Sequence, residues 1–329
     1  MRFFHCKHRQ ILSGGILLML LMALVACQKS LEMWPNYLKT HYWVIFDWTN
    51  SPHANPSVMQ FIAYPKDGGQ GIEFGFTKNT SGEVDLAAGE YQSLAFNSDT
   101  ENLLYRGDKW DTFEIYTRET SLTNYSKLFS SSRSEPRGVG SENEPVVEEP
   151  DMLWTGSAAE MPTAGNNQNE TVTLPMQPSV FTYLFVIDNV ANLEYVIDIT
   201  ATLSGMSGSM FPSTGKPTDT HCIIPVSVKS DGKQTITCSV RSFGHCPQQE
   251  AGNHHLLVYA RLSDGSKWYY DFDVTDVLHK PSKTVTDDKG NVLIEIKLDE
   301  LPFPRAISSD SGMHPDVEDW NEVEVDIKL

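Results

Sequence analysis

The sequence predicts an all-β protein made of two antiparallel β-sandwich domains in tandem. After residue 40, apolar and polar residues alternate with a period of two, and helical periodicity is scarce. Gly, Asp and Asn interrupt these runs at short intervals, which is typical of strands joined by turns in a β-sandwich. The chain has 329 residues, more than one hydrophobic core usually supports, which favours two domains.

The first domain is predicted over residues 41–155, and it begins with the strand HYWVIFDWTN, residues 41–50. The alternation in this strand places Val44, Phe46 and Trp48 on one face. Further strands are predicted at 58–65 and 72–77, twice within 82–99 with a break at Ala88 and Gly89, and at 102–107, 111–118 and 151–156.

Residues 126–150 have a different composition: they are rich in Ser, Glu and Pro and show no periodicity. Such a segment is typical of a long polar loop or linker, so we place the domain boundary shortly after it.

The second domain is predicted over residues 156–329, where the alternation of apolar residues resumes. A tight turn is expected at 263–266, and a single short helical turn is expected around VTDVLHK, residues 274–280. The strands are predicted at 170–177, 180–190, 193–205, 221–228, 234–240, 254–262, 267–274, 291–298 and 322–329.

The N-terminus has the pattern of a bacterial lipoprotein signal peptide over residues 1–26. The first nine residues carry three positive charges, and a mainly apolar run follows from 11 to 26. That run covers about 24 Å as a helix, which is short of the ~30 Å membrane core and fits a cleaved signal. It ends in Leu-Val-Ala-Cys, which resembles a lipobox, so we predict cleavage after Ala26 and lipidation of Cys27. Residues 27–40 would then form a lipidated tether to the outer membrane.

The charge balance limits the partners. The formal net charge is −18, and it becomes −21 once residues 1–26, with three positive and no negative charges, are removed. Such an excess of negative charge disfavours nucleic acid and anionic lipid headgroups as binding partners.

Three cysteines follow Cys27, so one disulfide and one free thiol are conceivable in an oxidising compartment. Cys222 and Cys238 share the parity of apolar strand neighbours, which predicts two buried thiols rather than zinc ligands. A zinc site would need His221 and His245, but His221 points to the face opposite Cys222. His254 and His255 are likewise adjacent in a strand. The sequence therefore predicts no metal site and no cofactor beyond the lipid.

No enzyme motif is convincing, and the sequence predicts a protein without catalytic function. DFDVT (271–275) matches the Asp-x-Asp-x-Thr of haloacid-dehalogenase-type phosphatases, but it lacks the surrounding helices that this chemistry needs. We expect Asp273 or Asp276 to cap the following turn instead. Three tryptophans in loop-like contexts, Trp34, Trp110 and Trp154, are candidates for stacking against sugars.

Several motifs resemble an uncharacterised family of Bacteroidales lipoproteins. They are an aromatic-Asp-Trp strand at 46–48, Tyr-Pro-x-Asp-Gly at 64–68, Leu-x-x-Gly-x-Tyr at 86–91, Asn-x-Asp-Thr-Glu at 97–101, PDMLW at 150–154, FDVTDVL at 272–278 and the segment 311–329. In architecture this family is similar to the fimbrillin superfamily, which includes the lipidated anchor subunits of type V pili. The resemblance implies two transthyretin-like, fimbrillin-like sandwiches in tandem. The resemblance implies joining of subunits by strand exchange, in which a partner's strand fills a sheet groove.

In that superfamily, shaft subunits lose their first strand after cleavage at an arginine. Residues 28–105 of this chain contain no arginine, Arg106 being the first, while Arg133 and Arg137 lie in the polar loop. This departure favours a permanently tethered anchor-like protein over a polymerising shaft subunit. The acidic cluster of surface-exported lipoproteins is reduced to Glu32, so surface-exposed and periplasm-facing orientations both stay open.

The leading hypothesis is therefore an outer-membrane lipoprotein that serves as a fimbria-associated anchor or minor adhesive subunit and binds fimbrillin-like subunits. The alternative is a surface lipoprotein that binds glycans through exposed aromatic residues. A phosphatase based on Asp271 and Asp273 is the weakest of the three.

Overall fold

The structure is a computed structural model, and it describes residues 39–129, 135–163, 169–245, 253–281, 283–288, 291–307 and 320–325. The strands are β1 Lys39–Asp47, β2 Met59–Pro65, β3 Ile72–Phe76, β4 Ser81–Ala87, β5 Tyr91–Asn97, β6 Leu103–Arg106, β7 Glu114–Thr117, β8 Trp154–Ala158, β9 Asn169–Pro175, β10 Gln177–Pro178, β11 Phe181–Ala191, β12 Val196–Ser207, β13 Ser209–Phe211, β14 Lys216–Pro217, β15 His221–Ser230, β16 Ile236–Ser242, β17 His255–Leu262, β18 Lys267–Asp273, β19 Lys283–Thr286, β20 Val292–Pro302 and β21 Trp320–Val325. The α-helix described is α1, Thr275–His279. The prediction of an all-β fold is confirmed.

The first sandwich packs a three-stranded sheet, in the order β4-β1-β9, against a five-stranded sheet, in the order β10-β8-β5-β2-β3. Strand β1 supplies Tyr42, Val44 and Phe46 to the core between them, as its alternation predicts. Phe61 from β2 and Leu174 from β9 meet these side chains in the same core.

The five-stranded sheet is buried on both faces. Its second face carries Ile62, Leu94 and Phe96 against Ile115 and Met210. These last two residues belong to a four-stranded sheet in the order β14-β13-β7-β6, to which both halves of the chain contribute strands. The two halves are therefore joined by backbone pairing between β7 and β13 as well as by side-chain packing.

The predicted domain boundary between residues 155 and 156 falls inside β8. Strands β9 and β10, which the sequence assigned to the second domain, pair with β1 and β8 of the first sandwich. Local alternation indicated a strand at β9 but carries no information about its distant, parallel partner.

The remaining strands form a continuous sheet in the order β19-β20-β11-β16-β15-β12-β17-β18-β21. Strand β15 turns from one layer to the other, since residues 222–226 pair with β12 and residues 227–230 pair with β16. The two layers enclose a core in which Phe185, Val258 and Phe272 are fully buried. Most pairs are antiparallel as predicted, whereas β1–β9, β11–β20 and β18–β21 are parallel.

The described residues of the polar segment 126–150, which are 126–129 and 135–150, have little regular structure, as expected, yet they pack against the outer face of the second sandwich. Phe129 and Val146 are buried with Tyr259 in a small apolar cluster. The backbone of Val147 donates to the carbonyl of Ile223 at 2.9 Å. The segment is thus a strap held on the sheet rather than a separate linker.

Among the residues described, no helix has the length and apolar character needed to cross a membrane.

Candidate functional site

The predicted lipidation site lies outside the described residues. Ala26, Cys27 and Trp34 all precede Lys39, where the described chain begins. Cleavage after Ala26 and lipidation of Cys27 therefore stay predictions.

The first strand is fully integrated into its sheet. Residues 39–45 of β1 pair antiparallel with β4, and residues 41–47 pair parallel with β9. Both backbone edges of β1 are therefore used, and its inward side chains, such as Tyr42 and Val44, are 0% exposed. Strand β1 therefore occupies the middle of this three-stranded sheet.

Arg106, the first arginine after Cys27, is held in the β6–β7 hairpin. Its guanidinium donates from Nε and Nη2 to the two carboxylate oxygens of Glu114, at 2.6 and 2.6 Å. It also lies over the ring of Tyr116, 4.5 Å from the ring centroid. Bidentate pairing of this kind fixes the side chain more firmly than a single contact.

Trp110 lies in the turn between β6 and β7, where the sequence predicted a loop. Its half-buried indole lines a depression of about 850 Å³ together with Tyr64, Lys66, Gln92 and Asp108. The indole Nε1 donates to the carbonyl of Ser93 at 3.2 Å, which fixes the ring. An aromatic ring surrounded by amide, ammonium and carboxylate groups matches the chemistry of sugar recognition.

Trp154 lies in a strand, as predicted for residues 151–156, and not in the loop-like context in which it was grouped with Trp34 and Trp110. It opens strand β8, is 7% exposed and packs edge-on against Trp48 with 6.3 Å between ring centroids. Because the five-stranded sheet is covered on both faces, the Trp154 side chain packs inside the protein whichever face it points to. Its remaining edge lines a shallow depression with polar loop residues.

The two aspartates of DFDVT, Asp271 and Asp273, form hydrogen bonds with different partners. Asp271 is buried, and its Oδ1 lies 2.6 Å from Nδ1 of His255. The N-cap position of α1 is Val274, and Asp273, one residue earlier, accepts the backbone N–H of Thr275 at 3.0 Å, so its carboxylate binds one N–H at the start of the helix. Burial acts against ionisation of Asp273, but the hydrogen bonds from Thr275 outweigh it and lower the pKa of this carboxyl.

Glu144 lies in the strap and packs against Gly205 and His221 of the second sandwich. Its Oε2 accepts the N–H of Gly205 at 2.9 Å, and its Oε1 lies 3.8 Å from Nδ1 of His221. Burial raises the pKa of Glu144 to about 7, although Gly205, Arg137 and His255 act in the opposite direction.

The side chains of Cys222 and Cys238 are buried, which confirms the prediction from their parity. Both lie in the core of the second sandwich, and burial raises the pKa of Cys238 to about 12. Cys246 lies outside the described residues.

The structure assembles three histidines that sequence analysis did not group. His245 follows β16, His254 precedes β17 and His279 ends α1, and their ring nitrogens lie within 4.8 Å of one another. The ring centroids are 4.6 Å apart for His245 and His279 and 5.2 Å apart for His254 and His279. Burial, followed by the neighbouring histidines, lowers the pKa of His254 to about 4 despite its hydrogen bond to Ser204.

The spacing of the three histidines in the sequence does not predict this cluster. They come from separate elements, which become neighbours only in the folded sheet. The prediction that His254 and His255 point apart is confirmed. His255 pairs with Asp271, while the side chain of His254 enters the cluster.

The fold defines a class of two-layered, all-β proteins already represented by crystal structures. One, described as "a putative adhesin" from Bacteroides ovatus, aligns with 91% of this chain and 96% of its own at 20% identity and a TM-score of 0.62. Another, from Bacteroides thetaiotaomicron, is described among "putative polysaccharide binding proteins (DUF1812)". It aligns with 79% of this chain and 90% of its own at 11% identity and a TM-score of 0.50.

Residues 26–227 match the model of the family described as "Domain of unknown function (DUF5119)", and the chain belongs to that family. A relative from Bacteroides ovatus, named "Putative fimbrium anchoring subunit Fim4B", is 23% identical over 332 aligned residues. The alignment spans 93% of this chain and 94% of the relative.

Proposed function

We propose that this protein is a lipid-tethered, non-enzymatic anchor subunit of a fimbria, held in the outer membrane through Cys27. The proposal is supported by full-length similarity to a relative named as a fimbrium anchoring subunit. It also agrees with the signal sequence that ends at Ala26 and with the lipobox pattern around Cys27.

The observation that carries the proposal is the retention of β1. This strand pairs on both sides in the middle of its sheet. Residues 28–105 also contain no arginine at which the cleavage described for shaft subunits could release it. A subunit that keeps its first strand does not open that groove to a further subunit. It therefore suits the end of a polymer rather than its shaft.

Contact with the neighbouring subunit would then use a sheet edge, by addition of a strand. The two edges of the nine-stranded sheet differ in this respect. Strand β19 is only four residues long, starts with Lys283 and is exposed throughout, features that protect an edge from pairing. Strand β21 is six residues long, has no lysine and pairs on one side with β18. We assign the joining edge to β21.

The test is site-specific cross-linking in native outer membranes. A photo-reactive residue at Glu322, on β21, is expected to capture fimbrial subunits, which mass spectrometry of the cross-linked peptides identifies. The matched control carries the same residue at Thr284, on β19. Equal capture at both edges, or capture of none of these subunits by the membrane-bound protein, would refute the assignment.

Tethering has its own test in the Cys27→Ser variant. Without the thiol no lipid can be attached, so the protein is expected to leave the membrane fraction and take attached fimbriae into the medium. Fractionation followed by immunoblotting measures both. A Cys27→Ser protein that stays in the membrane fraction would contradict the lipid anchor.

A second function, glycan binding, is favoured by the depression that contains Trp110. The ring is fixed by its hydrogen bond to Ser93, and amide and charged groups surround it. A ring held in this way loses little freedom when a sugar stacks on it.

If glycans bind there, Trp110→Ala should weaken polysaccharide binding about tenfold or more, since stacking on an aromatic ring contributes on the order of 1–2 kcal/mol. Trp110→Phe keeps an aromatic face and should retain most of the affinity. Trp43→Ala, at an exposed tryptophan on β1, serves as the control. Isothermal titration with surface polysaccharides measures the effect, and equal affinities for wild type and Trp110→Ala would exclude this site.

A further inference from the structure

In the cluster of His245, His254 and His279, the ring nitrogens are spaced like the ligands of one metal ion, and a hydrogen bond orients the ring of His254. Nε2 of His254 and Nε2 of His279 lie 3.3 Å apart. Two imidazole nitrogens bound to one tetrahedral zinc ion at about 2.0–2.1 Å are separated by about 3.4 Å. The pair therefore already has the spacing of two ligands on one metal ion.

The hydrogen bonds of His254 orient its free lone pair toward the cluster. Its Nδ1 lies 3.3 Å from the carbonyl oxygen of Ser204, which can only accept, so Nδ1 carries the proton. In the neutral ring, Nε2 then presents a lone pair to His279. A hydrogen bond from the far ring nitrogen to a backbone carbonyl is the usual support of a metal-bound histidine.

The backbone around His254 is shaped to hold this ring. Gly205 lies at a β-bulge of β12 with φ +75°, and a Cβ there would come within 2.6 Å of Nδ1 of His254. Only glycine allows the strand to pass so close to the imidazole. The backbone N–H of His254 also donates to Oγ1 of Thr275 at 3.0 Å, which ties the main chain at His254 to the start of α1.

Helix α1 places the third ligand. It is five residues long, with Leu278 buried beneath it and His279 at its end. The N–H of Val274 donates to the carbonyl of His254 at 2.8 Å, so the helix start and the residue that opens β17 move together. His254 and His279 are thus positioned by a shared hydrogen-bonded frame.

We propose that His245, His254 and His279 form a binding site for a divalent transition-metal ion, with Zn²⁺ as the best match. Three imidazole donors without a carboxylate in the cluster suit Zn²⁺, Ni²⁺ or Cu²⁺ and do not suit Ca²⁺ or Mg²⁺, which require oxygen ligands. One ring nitrogen of His245 lies within 4.8 Å of those of the other two histidines, and rotation about the broad terminal torsion of its side chain is the movement that metal binding would require of it. The fourth position is filled by water or by an exogenous ligand.

A metal ion there joins three separate elements: the segment that follows β16, the start of β17 and the end of α1. It would therefore stabilise this end of the second sandwich. The contrasting arrangement is a metal-free N–H···N hydrogen bond between His279 and His254, and the two are separated by direct binding measurements.

The experiment uses the full-length chain, purified in detergent without a polyhistidine tag and stripped with chelator. Titration with Co²⁺, followed by visible absorption, and with Zn²⁺, followed by calorimetry, should give one ion per chain. Bound Zn²⁺ should raise Tm by several degrees, because the folded state alone presents the assembled site.

His279→Gln and His245→Gln should each lower the affinity for Zn²⁺ by at least about 100-fold, since losing even an outer-shell partner costs 10- to 100-fold. His221→Gln, in a nearby histidine outside the cluster, should leave affinity and stoichiometry unchanged. Circular dichroism and Tm in the absence of metal verify that each variant folds. No stoichiometric binding by the wild type, or equal losses for His221→Gln and His279→Gln, would overturn the proposal.

Discussion

Replacing Val44 by Asp is expected to destabilise the protein by about 4 kcal/mol or more, because it places an unpaired charge in the middle of the first core. The side chain of Val44 is 0% exposed and lies between the two sheets with Tyr42 and Phe46. Urea unfolding followed by tryptophan fluorescence measures the loss. Trp48 and Trp154 sit in or beside this core and report on it directly.

The neighbouring position supplies a matched control. Trp43 lies in the same strand, between the same two strands β4 and β9, but its side chain points outward and is 42% exposed. Trp43→Asp should therefore cost only about 1 kcal/mol or less, as surface substitutions do. Similar losses for both variants would mean that β1 is not seated with Val44 facing inward, and the argument from strand retention would fail with it.

Glu144→Gln is expected to remove a pH-dependent cost from the folded state. The carboxyl ionises near pH 4.5 in the unfolded chain and at about pH 7 in the fold, where burial raises its pKa. Between these values the folded state binds the extra proton, so the stability of the wild type falls as the pH rises through this window. Relative to the wild type, the variant should gain about 3 kcal/mol between pH 4 and pH 8.

The comparison is made by urea unfolding of both proteins across this pH range. His255 is present in both proteins, and its pKa is raised chiefly by its hydrogen bond to Asp271 and least by Glu144, so the substitution removes only the smallest of these influences on His255. Glu142→Gln, at a carboxylate that stays solvated and accepts the N–H of Gly140, should show no gain at high pH. Parallel curves for wild type and Glu144→Gln would show that Glu144 ionises normally in the fold.

Local patterns were sufficient for much of the architecture. Alternation assigned β1 and its inward residues, parity assigned Cys222 and Cys238 to the core, and VTDVLHK marked the segment where α1 forms. Each of these depends on neighbours within a few residues, so the sequence contains the necessary information.

Features that depend on contacts between distant parts of the chain could not be predicted from local sequence patterns. The pairing of β9 with β1, the burial of Trp154 between two covered faces and the packing of the strap all arise from contacts with remote elements. The histidine cluster is the clearest case. Its members become neighbours only because a bulge in β12, the start of β17 and the end of α1 meet in space.

The seating of β1 also determines how this protein would carry mechanical load. A pull on the residues that precede Lys39 acts along the axis of β1, and seven register pairs with β4 and seven with β9 oppose it together. Bonds that lie across the direction of pull are strained in shear, all at once, rather than opened one after another from an end. Further along the chain, pairing between β7 and β13 passes the same tension from one half to the other. If the protein is tethered through Cys27 as proposed, a filament held by this chain would therefore pull against many bonds in parallel, at the first strand after the tether.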